Sequence, residues 1–493
     1  MLLSAGECVG SNHSGRNYHK MKNQSASYGR FSLLRSPAWS RVAIIGVTLF
    51  LAWYWGQTPS LAYIGYILIL CGVLVIVRYP QLGILGLVPI ALLVPYSIGT
   101  GTQTDLNLAF LAIPLMWGVL FIRSVVYGRT WDSLLTRETW PLIGLTLTAF
   151  VSLISGYLPW NAFAQLAPVR AQLGALAIFG FTGGACVLVM ATLNSTRWVQ
   201  ILTGLFLVIA SVYMFGRSIP FLGFIDRFFV TAATGSVFWV WLVSLAAGQG
   251  LFNRHLGFWV RVLLMGLVTL TFVVAFVFPA NRDWASGWLP AAVSFAILLW
   301  FRWPRLSVGL GLLMVFVAAV NFQAIQDLFL AGNNAYSLLT RTAAYQILLQ
   351  VIQVNPLLGV GPANYYYYTP LYSILGYYVK FNSHNQYIDI LAQTGILGLF
   401  FFAWFVVEMF RASWRLRVAA EATGHQFILG YANAALGGLA GMLVAGVLGD
   451  WIIPFVYNVG VSGFRGSLFG WMFLGGVLVL KRTIASPRVS SAG

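Results

Sequence analysis

Charged residues and cysteines are scarce in this sequence of 493 residues. Only 8% of the residues are charged and 59% are hydrophobic, whereas about 25% charged residues are usual in a soluble domain. This composition excludes a soluble enzyme and a disordered chain. The three cysteines, Cys8, Cys71 and Cys186, lie too far apart to predict a disulfide framework or a zinc site. Only lipid tolerates so much apolar sequence, so we expect a polytopic membrane protein.

Apolar stretches long enough to cross a bilayer recur along most of the chain. A spanning helix needs roughly 20 apolar residues, and about fourteen stretches approach that length. The stretches do not alternate apolar with polar residues, as barrel strands would. The predicted fold class is therefore an all-α polytopic membrane protein with about 12–14 transmembrane helices. The candidate spans are 42–57, 61–77, 82–98, 106–124, 141–157, 171–192, 197–215, 228–247, 257–279, 286–302, 305–321, 386–411, 426–447 and 465–482.

The spans divide the chain into five parts. Residues 1–41 form a basic tail, which we expect to be disordered and cytoplasmic. A transmembrane bundle of about 11 helices covers 42–321, a large extracytoplasmic loop covers 322–385, and further spans cover 386–482. Residues 483–493 are predicted to be a second cytoplasmic tail.

The net charge of +17 comes from 28 basic and 11 acidic residues. With the N-terminus in the cytoplasm, about three quarters of the basic residues fall in inner loops, as the positive-inside rule requires. Topology thus explains most of the charge, and no nucleic-acid partner is predicted. The basic residues left on the outer side are Arg170, Arg217, Arg227, Arg282, Arg341, Lys380 and Arg465.

These outer arginines have two interpretations. A single arginine near a membrane end often extends its guanidinium to the interface. Several converging on one face would instead form a site for phosphate groups, which guanidinium binds in a bidentate manner.

One outer connection, 322–385, is far longer than the rest. Apolar residues at helical spacing from Leu338 onward predict an interfacial helix with Arg341 near its start. Asn355-Pro356 should end that helix. The run Tyr365–Tyr368 suits the bilayer interface. An outer loop of about sixty residues is usually functional.

The residues of this loop resemble the O-antigen ligase and polymerase superfamily. The resemblance comprises Arg341, the run Asn355-Pro356-Leu357-Leu358-Gly359-Val360-Gly361, the pair His384-Asn385, and the run Thr394-Gly395-Ile396-Leu397-Gly398. It is strongest over 336–400; elsewhere only the topology agrees.

The chain also departs from the family pattern. Gln393 stands where many relatives have an acid, and Asn281-Arg282-Asp283-Trp284 replaces a more usual Ser-Arg-Gly. The arginine expected before the eighth span is ambiguous between Arg217 and Arg227.

The resemblance implies a GT-C-like membrane glycosyltransferase. Its donor would be a glycan on undecaprenyl pyrophosphate, and its acceptor a hydroxyl on lipid A core or on another lipid-linked glycan. No cofactor and no metal are expected, which agrees with the absence of any Asp-x-Asp pair. The enzyme would lie in the plasma (inner) membrane with its site on the outer face. Ligase and polymerase both remain open, with ligase favoured slightly by the spacing around His384.

In this interpretation His384, the only outer histidine, takes the proton of the acceptor hydroxyl, and direct attack inverts the anomeric carbon. Arg341 and Arg282 would join it as catalytic residues. The pyrophosphate-binding residues would be Arg227, Arg282, Arg341 and Arg217, and the supporting residues Asn385, Tyr387 and Asp389.

Two other functions are less favoured. A secondary transporter would place ionisable groups at mid-membrane depth, and these spans are almost free of charge. A non-catalytic scaffold would not need a convergent set of arginines.

Overall fold

The computed structural model describes residues 71–99, 105–127, 134–230, 235–277, 284–323 and 332–485, with scattered positions from 42 to 56, and only the backbone for 332–338. The chain divides into two units, Met1–Leu74 and Val75–Gly493. The predicted tail 1–41 and much of the first two predicted spans lie outside the described residues. The helices and the site described below belong to the second unit.

This unit is built from helices. Eight of the described helices are long and apolar enough to cross a membrane, and four more are apolar but shorter. The prediction of an all-α polytopic membrane protein is therefore confirmed. The helices are α1 (Pro80–Leu93), α2 (Leu108–Tyr127), α3 (Trp140–Ser155), α4 (Val169–Thr192), α5 (Thr196–Ser218), α6 (Ser236–Phe252), α7 (Phe258–Val277), α8 (Ala285–Arg302), α9 (Pro304–Val320), α10 (Gly332–Val354), α11 (Tyr365–Tyr368), α12 (Gln386–Thr423), α13 (Gln426–Leu448) and α14 (Gly460–Ala485), with 3-10 helices at Pro220–Phe228 and Thr369–Leu371.

A small sheet, absent from the predictions, lies between α1 and α2. Strands β1 (Ser97–Gly99) and β2 (Asp105–Asn107) pair antiparallel. The Asn107 amide donates to the carbonyl of Val461 at 2.6 Å, which attaches the sheet to the start of α14.

Helix α6 forms the centre of the bundle. Every residue of α6 is buried, because α8, α13 and α14 pack around it. Its Gly248 faces Gly430 of α13 so closely that a Cβ there would lie 2.6 Å from the Gly430 carbonyl oxygen. Small residues of this kind let membrane helices approach closely.

Two predicted helix boundaries were wrong. Helix α10 begins at Gly332, so Arg341 lies near its middle and not near its start. Helix α12 continues beyond the predicted end at residue 411 to Thr423, where Gly424 adopts a left-handed conformation and terminates it. The predicted end of α10 before Asn355-Pro356 is confirmed.

Two buried carboxylates form ion pairs with basic residues that are far away in the sequence. Glu408 accepts hydrogen bonds from Arg411 at 2.9 Å and from Arg137 at 3.0 Å. Glu138 forms an ion pair with Lys481 of α14.

Candidate functional site

The two glycine-containing runs of the sequence fold against each other. Helix α12 opens at Gly395, whose φ of 65° and ψ of −167° are not helical. The Ile396 N–H consequently bonds to the carbonyl of Pro356 at 2.9 Å. On the other side of the opening, the Val360 N–H bonds to the carbonyl of Ala392 at 2.9 Å. The loop after α10 is thus joined to the opening of α12 by main-chain hydrogen bonds.

Buried asparagines attach the same loop to the α3–α4 region. Asn364 accepts from the Ala167 N–H at 3.0 Å and donates to the carbonyl of Val360 at 2.9 Å. Asn355 donates to the Ser155 hydroxyl at 3.2 Å. The loop is therefore held on both sides.

Two residues of the tyrosine run that was predicted to suit the bilayer interface are buried, and the two between them are half-buried. Tyr365 and Tyr368 are buried in the protein. The Tyr365 ring stacks on Phe455 with 4.5 Å between centroids, and its hydroxyl donates to Asp389. The carboxylate and the aromatic partner come from other parts of the chain, so the run by itself gives no sign of these contacts.

His384 lies at the turn that leads into α12. It has a positive φ of 48°, which is uncommon for a residue with a Cβ. Asn385 caps α12 by accepting from the N–H groups of Tyr387 at 3.0 Å and Ile388 at 3.3 Å. The Ser383 hydroxyl donates to Asp389 at 2.7 Å. The turn is thus held from both sides, and the exposed His384 projects from it.

Arg341 of α10 interacts electrostatically with His384. Partial burial, and then the positive charge of Arg341, lower the pKa of His384 below 6.5. An imidazole with a lowered pKa is neutral at pH 7 and can accept a proton. Among the described residues no carboxylate forms an ion pair with Arg341.

The three predicted supporting residues form hydrogen bonds that stabilise the turn before α12 and attach α12 to α13. Asp389 is buried and accepts from Ser383 and Tyr365. Tyr387 donates to the carbonyl of Leu443 in α13 at 2.8 Å. These contacts, with the cap made by Asn385, stabilise the backbone that carries His384.

The other outer arginines have different surroundings. Arg217 forms an ion pair with Asp226 at 3.0 Å, whereas Arg227 is exposed. Arg465 is buried and donates to the carbonyls of Val94 and Tyr96, so it is structural. Arg282 lies outside the described residues.

Two residues that the sequence did not single out lie beside His384. The Asn458 amide nitrogen is 3.5 Å from His384 Nδ1 and also bonds to the Asp450 carboxylate. Asp450 is buried, and burial raises its pKa to about 6. No local sequence signal could have found Asn458, because it is 74 residues away from His384.

No group of three or more His, Cys, Asp or Glu side chains within the described residues could hold a metal ion.

Residues 270–403 match the family model described as O-antigen ligase. The segment contains Arg341, His384, Asp389 and Gly395, so the resemblance to the ligase and polymerase superfamily is confirmed there. No curated protein matches the chain. The match and the apolar helices support a multi-pass membrane enzyme of O-antigen ligase or polymerase type.

Proposed function

From a ligase-type segment that contains both Arg341 and His384, we propose that the protein is an O-antigen ligase-like glycosyltransferase. It moves a glycan from undecaprenyl pyrophosphate to an acceptor hydroxyl. The observation that supports this proposal is the exposed imidazole of His384 on the turn before α12, whose pKa is lowered by partial burial and then by the positive charge of Arg341. Such a pair offers a proton acceptor and an anion-binding group at one place.

His384 supplies the proton acceptor. The acceptor hydroxyl oxygen attacks the anomeric carbon of the donor sugar, and its proton passes to the imidazole. The bond from that carbon to the pyrophosphate oxygen breaks, and the electron pair leaves with the pyrophosphate. A single displacement inverts the anomeric configuration.

Arginines supply the positive charge for the leaving group. Arg341 and Arg282 are proposed to contact the pyrophosphate as negative charge develops on it, which stabilises the transition state more than the ground state. Arg227 and Arg217 are proposed as further phosphate ligands. Arg227 is favoured of the two because it is exposed, while Asp226 already offsets the charge of Arg217.

The supporting roles follow from the hydrogen bonds. Asn385 and Asp389 stabilise the turn that presents His384, and Tyr387 attaches the start of α12 to α13. Their loss should reduce the rate by misplacing His384, since catalysis is sensitive to small displacements.

The proposed location is the plasma (inner) membrane, with the N-terminus in the cytoplasm and the site on the outer face. The charge bias of the loops supports this orientation. Polyprenyl pyrophosphate carriers are anchored in such a membrane, so the other partners are membrane lipids and either lipid A core or a second lipid-linked glycan. The proposal assigns the stabilisation of the pyrophosphate to arginines and requires no cofactor.

The test offers purified protein a polyprenyl-pyrophosphate glycan, with and without lipid A core, and measures product size. A single shift that needs lipid A core supports the ligase. A ladder formed from donor alone would instead identify the alternative, a polymerase of the same superfamily. If no glycan is transferred while reconstituted vesicles take up solute, the enzyme proposal is wrong and a transporter is favoured.

A further inference from the structure

The connection between α13 and α14 folds around one carboxylate. Asp450 is 1% exposed. One of its oxygens accepts from the Phe455 N–H at 2.7 Å, and the other accepts from the Asn458 amide. The same amide nitrogen lies 3.5 Å from Nδ1 of His384. A buried acid therefore reaches the imidazole through a single side-chain amide.

We infer that Asn458, held by Asp450, is a positioning residue that sets the orientation of the His384 ring and decides which ring nitrogen carries the hydrogen. The inference rests on the proposed role of His384 as the proton acceptor. Both residues lie outside the segment 270–403 that matches the ligase family. The last outer connection of the chain thereby becomes part of the site.

The hydrogen positions follow from the charge of Asp450. An ionised carboxylate only accepts hydrogen bonds, so Asn458 must direct its NH2 group toward Asp450. The second hydrogen of that NH2 group faces Nδ1 of His384. A neutral ring in this arrangement carries its own hydrogen on Nε2, and Nε2 then has no free lone pair for the acceptor proton.

A protonated Asp450 reverses this arrangement. Its O–H group can donate to the carbonyl oxygen of Asn458, which requires the amide to turn over, and N and O of an amide occupy nearly the same positions. The carbonyl then accepts from Nδ1–H of His384. The lone pair of Nε2 becomes free to take the proton from the acceptor hydroxyl.

The surroundings of this pair bring the protonation of Asp450 into the mildly acidic range. Asp389 of α12 interacts electrostatically with Asp450, and Tyr365 of α11 lies within reach of both carboxyl groups. Arg341 of α10 acts on His384. No described basic residue forms an ion pair with Asp450. Burial raises the pKa of Asp450 to about 6, so the protonated acid is a substantial fraction in mildly acidic solution and declines as the pH rises above 6.

Three variants of the full-length protein test the inference in the glycan-transfer assay, with kcat and KM measured across pH. Asn458→Ala removes the bridge, and we expect kcat to fall about 10- to 100-fold with KM for the donor little changed. Asp450→Ala should behave similarly. Asp450→Asn mimics the protonated acid, because its oxygen can accept from Phe455 while its NH2 group donates to the carbonyl of Asn458. It should retain kcat and keep its activity at pH values where the wild-type activity declines.

Asn161→Ala is the matched control. Asn161 is an asparagine with a purely local hydrogen bond: it accepts from the Phe163 N–H at 2.9 Å in the connection between α3 and α4. It should transfer glycan like the wild type.

The inference is overturned if Asn458→Ala keeps the wild-type kcat and pH profile, or if Asp450→Asn is as slow as Asp450→Ala at every pH. His384→Ala separates the two proposals. If that variant also transfers glycan normally, it is the proposed function that fails.

Discussion

Gly395 lies against the backbone of Leu357 so closely that a Cβ on the glycine would be 2.2 Å from the carbonyl oxygen. Its φ of 65° and ψ of −167° belong to a region that essentially only glycine occupies. The run after α10 and the run inside α12 therefore form one joint, with Gly395 at the contact point. His384 lies at the head of the same helix, so the joint also sets its position.

Gly395→Ala should disrupt this joint. The added methyl group meets backbone that cannot move aside, and the conformation itself is strained, so we expect a loss of more than about 3 kcal/mol in the free energy of unfolding. The measurement is thermal unfolding in detergent. Gly424→Ala is the control, since Gly424 also has a positive φ of 71° but a Cβ added there would meet no heavy atom within 4 Å. It should cost about 1 kcal/mol. Equal losses in the two variants would contradict the role of the contact with Leu357.

Arg341→Gln should change the pH dependence of transfer as well as its rate. The positive charge of Arg341 disfavours the protonated imidazole, so its removal raises the pKa of His384. Activity needs the neutral ring, and the acid limb of the residual kcat profile should therefore move to higher pH.

Arg341→Lys retains the charge and loses the bidentate guanidinium. Its acid limb should stay near that of the wild type while the rate falls. An unmoved acid limb in Arg341→Gln would show that Arg341 does not act on His384.

Tyr365→Phe should destabilise the loop. The variant keeps the stacking on Phe455 and removes the hydroxyl that donates to the buried Asp389. We expect a cost of about 1–3 kcal/mol, because a buried carboxyl group loses a donor. Faster cleavage of the loop in limited proteolysis would report it. Tyr378→Phe, at a side chain that is 70% exposed, should have no effect.

One of its two arginine partners should be enough to stabilise the buried carboxylate of Glu408. Arg137→Ala or Arg411→Ala alone leaves the buried carboxylate with the other partner. The double variant leaves Glu408 without either arginine, and its loss of stability should exceed the sum of the single losses by about 1–3 kcal/mol. A double-mutant cycle on unfolding in detergent measures this difference. Additive losses would mean that Glu408 does not share its charge between the two.

Composition predicted the fold class, and a local motif predicted the end of one helix. An apolar chain with few charges has to be a helical membrane protein, and Asn355-Pro356 ends α10 because proline cannot continue a helix. These features depend on local sequence and on the surrounding lipid, and the sequence shows directly what each of them requires.

Features that depend on distant partners could not be predicted. The apolar residues around Gly395 are compatible with an unbroken helix, and only the loop after α10 explains the opening. From the sequence, Tyr365 was expected at the bilayer interface, and its contacts with Phe455 and Asp389 could not be predicted. Asn458 has no local signature at all.

The central claim is that His384 accepts the proton in glycan transfer. The most direct measurement compares transfer by purified wild type, His384→Ala and His425→Ala with the same polyprenyl-pyrophosphate glycan and acceptor. His425 lies between α12 and α13, away from the proposed site. We predict that His384→Ala forms product at least about 100-fold more slowly, while His425→Ala matches the wild type. Product formed by His384→Ala at the wild-type rate would contradict the account.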